Sequence, residues 1–91
     1  MSRAVRVHIT GKVQGVGFRA WTERGARSRG LDGWVRNRRD GSVEAVIAGS
    51  EASVDEMLAA LRKGPSSGRV DEVSHMPVEM PEKGFRVLPT A

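Results

Sequence analysis

Three glycines and an arginine lie close together near the start of the chain, in the segment Gly11-Lys12-Val13-Gln14-Gly15-Val16-Gly17-Phe18-Arg19. Glycines let the backbone adopt positive φ angles and approach a ligand closely. The N–H groups of such a turn, together with those of a following helical turn, can point at one anion. The Arg19 guanidinium adds a planar, charged fork of donors that matches phosphate oxygens. The segment therefore predicts a phosphate-binding loop made of Gln14, Gly15, Val16, Gly17, Phe18 and Arg19.

A second segment whose residues could take part in a reaction runs from Gly33 to Gly49 and contains Asn37 at the end of a strand-like run. An asparagine beside a hairpin is most often a turn former. Its primary amide can also donate a hydrogen bond to a water and accept one from it, but it cannot take the proton of that water. The residues alone leave both interpretations of Asn37 open.

Other kinds of site have little support in the sequence. The two histidines, His8 and His75, have no second histidine or carboxylate at ligand spacing, and the chain has no cysteine, so we expect no metal site. Gly15 to Ala20 matches a dinucleotide-binding pattern only weakly, because a Rossmann unit needs parallel strands. A Walker loop would place Lys and Ser or Thr directly after a glycine, which does not occur here. We expect no cofactor.

The length and composition indicate one globular domain spanning residues 1–91. Charged residues make up 29% of the chain and the net charge is +4, which suits either a nucleic-acid partner or a surface that attracts small anions. The N-terminal residues alternate polar and apolar side chains and contain no continuous apolar stretch of the signal-peptide type. We therefore expect a cytoplasmic protein without a membrane partner, and a monomer.

Hydrophobic periodicity predicts the elements that must position these residues. The predicted strands are Ala4–Gly11, Leu31–Asn37, Ser42–Ala48, Arg69–Pro77 and a short Phe85–Leu88. The predicted helices are Phe18–Arg29, ended by Gly30, and Ser53–Lys63, opened by a capping box at Ser53. The Asp40-Gly41 turn between two strand-like runs indicates a hairpin. The order predicts an α+β, ferredoxin-like βαββαβ sandwich, with an antiparallel sheet carrying both helices on one face. We expect Trp21 and Trp34 in the core or at its edge.

The chain resembles the acylphosphatases. Gly11 to Arg19 matches the first signature of that family, and Gly33 through Asn37, with Gly41, Val43 and Gly49, matches its second. The resemblance implies hydrolysis of carboxyl-phosphate anhydrides to a carboxylate and inorganic phosphate. It also implies that the loop backbone and Arg19 hold the phosphate, with inorganic phosphate or sulfate as competing anions, and that Asn37 positions the attacking water. Gly17 occupies a position that a larger residue often fills in relatives.

Binding modules are the alternatives from another class. Ferredoxin-like domains also bind RNA on the open face of the sheet, but such modules stack bases on aromatic residues of the central strands, and Ser42 to Ala48 contains none. A non-catalytic domain of a carbamoyl-phosphate-handling assembly is a second alternative. A regulatory amino-acid-binding module is a third, although it would not require Arg19 and Asn37 together.

Overall fold

A computed structural model describes residues 1–91 as two helices packed on one mixed sheet. None of its helices has the length and apolar character that a membrane span requires. The elements follow in the order β1 (Ser2–Lys12), α1 (Phe18–Ser28), β2 (Asp32–Asn37), β3 (Val43–Ser50), α2 (Glu51–Lys63), β4 (Arg69–Pro77) and β5 (Phe85–Val87).

The sheet has the strand order β4-β1-β3-β2-β5. The first four strands in this order pair antiparallel, which is the ferredoxin-like arrangement that the sequence predicts. The short β5 pairs parallel with β2, so the complete sheet is mixed rather than wholly antiparallel. β1 and β2 both pair antiparallel with β3, which lies between them, so they run in the same direction. Their C-terminal ends therefore lie at the same end of the sheet, one strand apart.

The core lies between one face of the sheet and the two helices. Alternation along β1 sends Val5, Val7 and Ile9 into this core, as the sequence predicts. The helices contribute Phe18 and Leu61, among others. The opposite face of the sheet is not covered by either helix and carries charged side chains such as Arg6, Arg36 and Glu44 beside uncharged ones such as Trp34 and Val46.

The helix ends follow two different capping mechanisms. After α1, the N–H of Gly30 donates to Arg27 O (3.1 Å) and that of Leu31 donates to Ala26 O (2.9 Å), a Schellman motif that confirms Gly30 as the stop. The prediction that Ser53 caps α2 is wrong. Ser50 is the N-cap, because its side-chain oxygen accepts from the N–H of Ser53 at 3.1 Å.

Strand pairing moves several predicted boundaries. β1 begins before its predicted start and β3 ends after its predicted end, because Ser2 pairs with Ser50 and Arg3 with Gly49. Gly25 lies where the two helices approach closely, because an added Cβ there would lie 3.2 Å from Met57 Cε. Trp21 packs against the core as predicted. Trp34 is half-buried on the uncovered face instead, with the Arg36 guanidinium carbon 4.8 Å from its ring centre.

Gly33 provides a test of the β2–β3 pairing. Its φ is 130°, and a Cβ added there would lie 1.8 Å from Val46 O, so the two strands could not keep their spacing. We expect Gly33→Ala to lower the free energy of unfolding by about 3 kcal/mol or more. The matched control is Gly84→Ala, where φ is also positive but no atom lies within 4 Å of the added Cβ; the expected loss is about 1 kcal/mol. Equal losses in urea unfolding would contradict this packing.

Candidate active site

The predicted phosphate-binding loop is held at both ends by buried side chains. Val13 and Phe18 are each 1% exposed and belong to the core cluster. The intervening residues 14–17 have no helical or strand structure. A further contact comes from Ser67, whose hydroxyl donates to Val16 O at 2.8 Å. The loop is therefore a short segment whose two ends are anchored in the core.

The loop N–H groups point to no acceptor in the protein. Those of residues 14–17 donate no hydrogen bond, and the first bond of α1 runs from Trp21 N to Gly17 O at 3.0 Å. The N–H groups of Phe18, Arg19 and Ala20 precede that bond and have no intrahelical partner. The start of α1 has neither a side-chain cap nor an acidic residue in its first turn. The helix N-terminus, with its partial positive charge, is thus left uncompensated.

Two glycines give the loop its shape. Gly15 and Gly17 have φ angles of 73° and 78°, in the left-handed region that favours glycine. Gly17 is the N-cap residue of α1, so this conformation turns the chain into the helix. A Cβ at either position would meet nothing within 4 Å. The backbone angle rather than crowding therefore favours glycine at both positions.

Arg19 lies in the first turn of α1, directly after the loop. Its guanidinium forms no ion pair within the protein. The carboxylate one turn further along, Glu23, pairs with Arg27 instead, at 3.1 Å. The Arg19 donors thus remain available to an anion at the loop.

Asn37 is the last residue of β2 and is held by backbone bonds on both sides. It pairs with Val43 of β3, and its carbonyl accepts from the N–H of Ala91 at 3.0 Å. The side-chain oxygen Oδ1 is buried and accepts no hydrogen bond from the protein. A buried polar atom of this kind requires a partner, and a bound water can serve as one.

The turn after Asn37 is built by Asp40, as the sequence predicts. Asp40 Oδ1 accepts from the N–H of Ser42 (2.9 Å) and from its hydroxyl (2.6 Å). These hydrogen bonds hold the pKa of the Asp40 carboxyl below its ordinary value.

One cavity of about 330 Å³ brings the two predicted segments together. Of the predicted site residues, it is lined by Gly15, Gly17, Phe18, Arg19 and Asn37. Gln14 and Val16 do not line it: Val16 packs against the core, and the Gln14 side chain donates to the turn after β2.

Sequence reasoning missed four further wall residues, namely Val13, Ala20, Glu23 and Val87. Val87 reaches the cavity only because β5 pairs beside β2, a long-range contact without a local signal. Nowhere in the chain do three or more histidine or carboxylate side chains come close enough together to hold a metal ion.

Comparison with known proteins assigns this arrangement to a family. The acylphosphatase family model matches residues 5–87. The chain belongs to the acylphosphatase family. It is 52% identical to an acylphosphatase of Bradyrhizobium diazoefficiens over 98 aligned positions that cover 99% of each chain. It is 61% identical to one of Rhodopseudomonas palustris over 74 positions, covering 80% of this chain and 75% of that one. The structure of an acylphosphatase from Coxiella burnetii superposes with a TM-score of 0.91 at 33% identity, covering 96% and 93%.

The family assignment fixes the reaction. The chain is an enzyme that hydrolyses acyl phosphates, as the resemblance of its two signatures implies. Acyl phosphates are therefore its substrates. The prediction of a catalytic rather than a purely binding domain is confirmed.

A larger depression, about 590 Å³, lies on the uncovered face of the sheet and is distinct from this site. Its central carboxylate is Glu44, which is buried and accepts from Arg36 Nε at 2.8 Å and from Arg38 at 3.1 Å. Burial alone would raise the pKa of Glu44, but the hydrogen bonds and charges of the two arginines outweigh it, and the pKa lies below its ordinary value of 4.5. Glu44 thereby holds Arg38, the residue next to Asn37.

The lowered pKa of Glu44 predicts a pH dependence of stability. A carboxylate with a depressed pKa in the folded state stabilises the fold above its unfolded pKa, and this contribution disappears as pH falls through the folded value. We expect Glu44→Gln to lower the free energy of unfolding by about 1 to 2 kcal/mol at pH 7, and by progressively less below pH 4.5.

The measurement is urea unfolding at several pH values. Glu72→Gln is the control, because Glu72 is exposed and forms no ion pair. A Glu44→Gln difference that stays constant between pH 7 and pH 3 would rule out this contribution.

Proposed function

We propose that the cavity between the loop, Arg19 and Asn37 is the site where acyl phosphates are hydrolysed. The observation that carries the proposal is that one cavity is lined by Gly15, Gly17, Phe18 and Arg19, whose N–H groups donate no hydrogen bond within the protein, and by Asn37, whose buried Oδ1 accepts none. The donors suit an anion and the acceptor suits a water, which are the two reactants.

The loop binds the phosphoryl group of the substrate. Its free N–H groups and the positive end of α1 face the phosphate oxygens, and Arg19 adds a bidentate, charged contact. Phosphoryl transfer depends mainly on positioning and on stabilising charge on the equatorial oxygens, and these donors supply both. Inorganic phosphate and sulfate carry a similar tetrahedral set of charged oxygen atoms, so both compete with the substrate at the loop.

Asn37 orients the attacking water. Its Oδ1 accepts one hydrogen bond from the water and points the water oxygen at phosphorus. A bond forms between the water oxygen and phosphorus, and the bond between phosphorus and the acyl oxygen breaks with its electron pair on the carboxylate. The loose transition state asks little of the nucleophile, so the water proton can pass to a phosphate oxygen rather than to a protein base.

The leaving group explains why the site contains no catalytic acid. A carboxylate with a pKa of about 4 to 5 departs unprotonated at neutral pH. Histidine is absent from the cavity wall, and the one carboxylate there, Glu23, pairs with Arg27.

We propose that the reaction requires neither a metal ion nor an organic cofactor. We further propose that residues 1–91 form a single domain, which acts as a cytoplasmic monomer without nucleic-acid or membrane partners.

Substitution of Arg19 and of Asn37 separates their two roles. We expect Arg19→Ala to weaken phosphate binding and turnover together, and Arg19→Lys to restore little, because a point charge lacks the bidentate geometry. Asn37→Ala leaves phosphate affinity within about threefold but lowers kcat by about a hundredfold or more, because a misplaced nucleophile is costly even when the substrate is held. The measurements are kcat with acetyl phosphate and phosphate affinity by titration calorimetry.

Arg24→Ala is the matched control, because Arg24 is an exposed arginine of α1 outside the cavity. Circular dichroism verifies that each variant folds, and all assays contain EDTA. If folded Asn37→Ala keeps a near-normal kcat, Asn37 is a turn former only.

Activity that is lost in EDTA and restored by a divalent cation would refute the metal-independent reaction.

A further inference from the structure

The side chain of Gln14 makes a contact that phosphate binding does not use. Its Nε2 atom donates to two backbone carbonyls, Arg38 O and Ser42 O, each at 2.7 Å. Carbonyl oxygens only accept, so both amide protons of Gln14 are committed to these contacts. The side chain therefore cannot also donate to a bound phosphate, whereas the backbone N–H of Gln14 donates no hydrogen bond within the protein.

The two carbonyls stand at the two ends of the turn that follows Asn37. The turn itself is closed by Arg38 N donating to Ser42 O at 2.9 Å and by Gly41 N donating to Arg38 O at 3.2 Å. Gln14 thus adds a second donor to each of the carbonyls that define the turn.

These two contacts are the only hydrogen bonds that join the loop of residues 14–17 to the turn of residues 38–42. The loop follows β1 and the turn follows β2, and these strands are not neighbours in the sheet. The distance between the phosphate-binding loop and Asn37 therefore depends on the general packing of the fold and on this one side chain.

We propose that Gln14 is a positioning residue that holds Asn37 at its working distance from the phosphate in the loop. The inference rests on the proposed function of Asn37. Gln14 does not touch the water or the phosphate with its side chain; it acts by fixing the residue directly after Asn37. A displacement of about 1 Å in such a site can cost about a hundredfold in rate, so a tie between the two halves has catalytic value.

A double-mutant cycle tests this role. Gln14→Met keeps the length of the side chain and removes both donors. We expect it to lower kcat for acetyl phosphate by about tenfold or more, with the inhibition constant of inorganic phosphate within about threefold of wild type. If Gln14 acts through Asn37, adding Gln14→Met to Asn37→Ala lowers kcat by less than about twofold. Equal losses in the two backgrounds, or a loss of phosphate affinity as large as the loss of kcat, would overturn the proposal.

A second measurement is independent of the chemistry. Amide hydrogen exchange of Gly41 and Arg38 should accelerate in Gln14→Met, while that of Trp21, bonded to Gly17 O, stays unchanged. Gln14→Glu provides a second variant of nearly the same shape, and its carboxylate repels both carbonyls at pH 7, so it should show the same two effects. Unchanged exchange in the turn contradicts the tie. Full activity of the Asn37→Ala variant would instead refute the role of Asn37. In that case the hydrogen-exchange data decide separately whether Gln14 fixes the turn.

Discussion

The site depends on a backbone segment whose N–H groups have no acceptor within the protein. Exposed or buried, such donors need a partner, and a folded chain usually supplies one through secondary structure or a cap. Here the loop of residues 14–17 lies between the buried Val13 and Phe18, and the N-terminus of α1 has no side-chain cap. The core thus stabilises a conformation that the loop would not keep alone, and it keeps the donors available for an anion.

The sheet supplies the second half of the site. Asn37 is far from the loop in sequence, but the order β1-β3-β2 brings the ends of β1 and β2 to one edge of the molecule. Backbone pairing with β3 and with Ala91 fixes the main chain of Asn37 on both sides, and its buried Oδ1 has no protein partner. Residues from two distant segments, each with an unpaired polar group, therefore line one cavity, which suits an enzyme that needs a held phosphate and a held water.

The sequence was sufficient for the parts of this structure that depend on local chemistry. Alternation in β1, the stop at Gly30 and the turn at Asp40 were all predictable, because each rests on neighbours in the chain. The predictions that failed concern features that depend on pairing between strands distant in the sequence. The ends of β1 and β3 follow from pairing of Ser2 with Ser50, and the cap of α2 lies at Ser50 because β3 runs directly into the helix. Val87 enters the cavity wall only through the parallel pairing of β5, and the Gln14 side chain turns to Arg38 and Ser42, which are distant in sequence.

Hydrolysis in ¹⁸O-labelled water tests whether water attacks the phosphorus held by the loop or the carbonyl carbon of the substrate. Mass spectrometry of both products, corrected with an enzyme-free blank, locates the solvent oxygen. We expect one solvent oxygen in each inorganic phosphate and none in the carboxylate, because the bond that breaks joins phosphorus to the acyl oxygen. Solvent oxygen in the carboxylate would mean that water attacks the carbonyl carbon, and it would rule out attack at phosphorus.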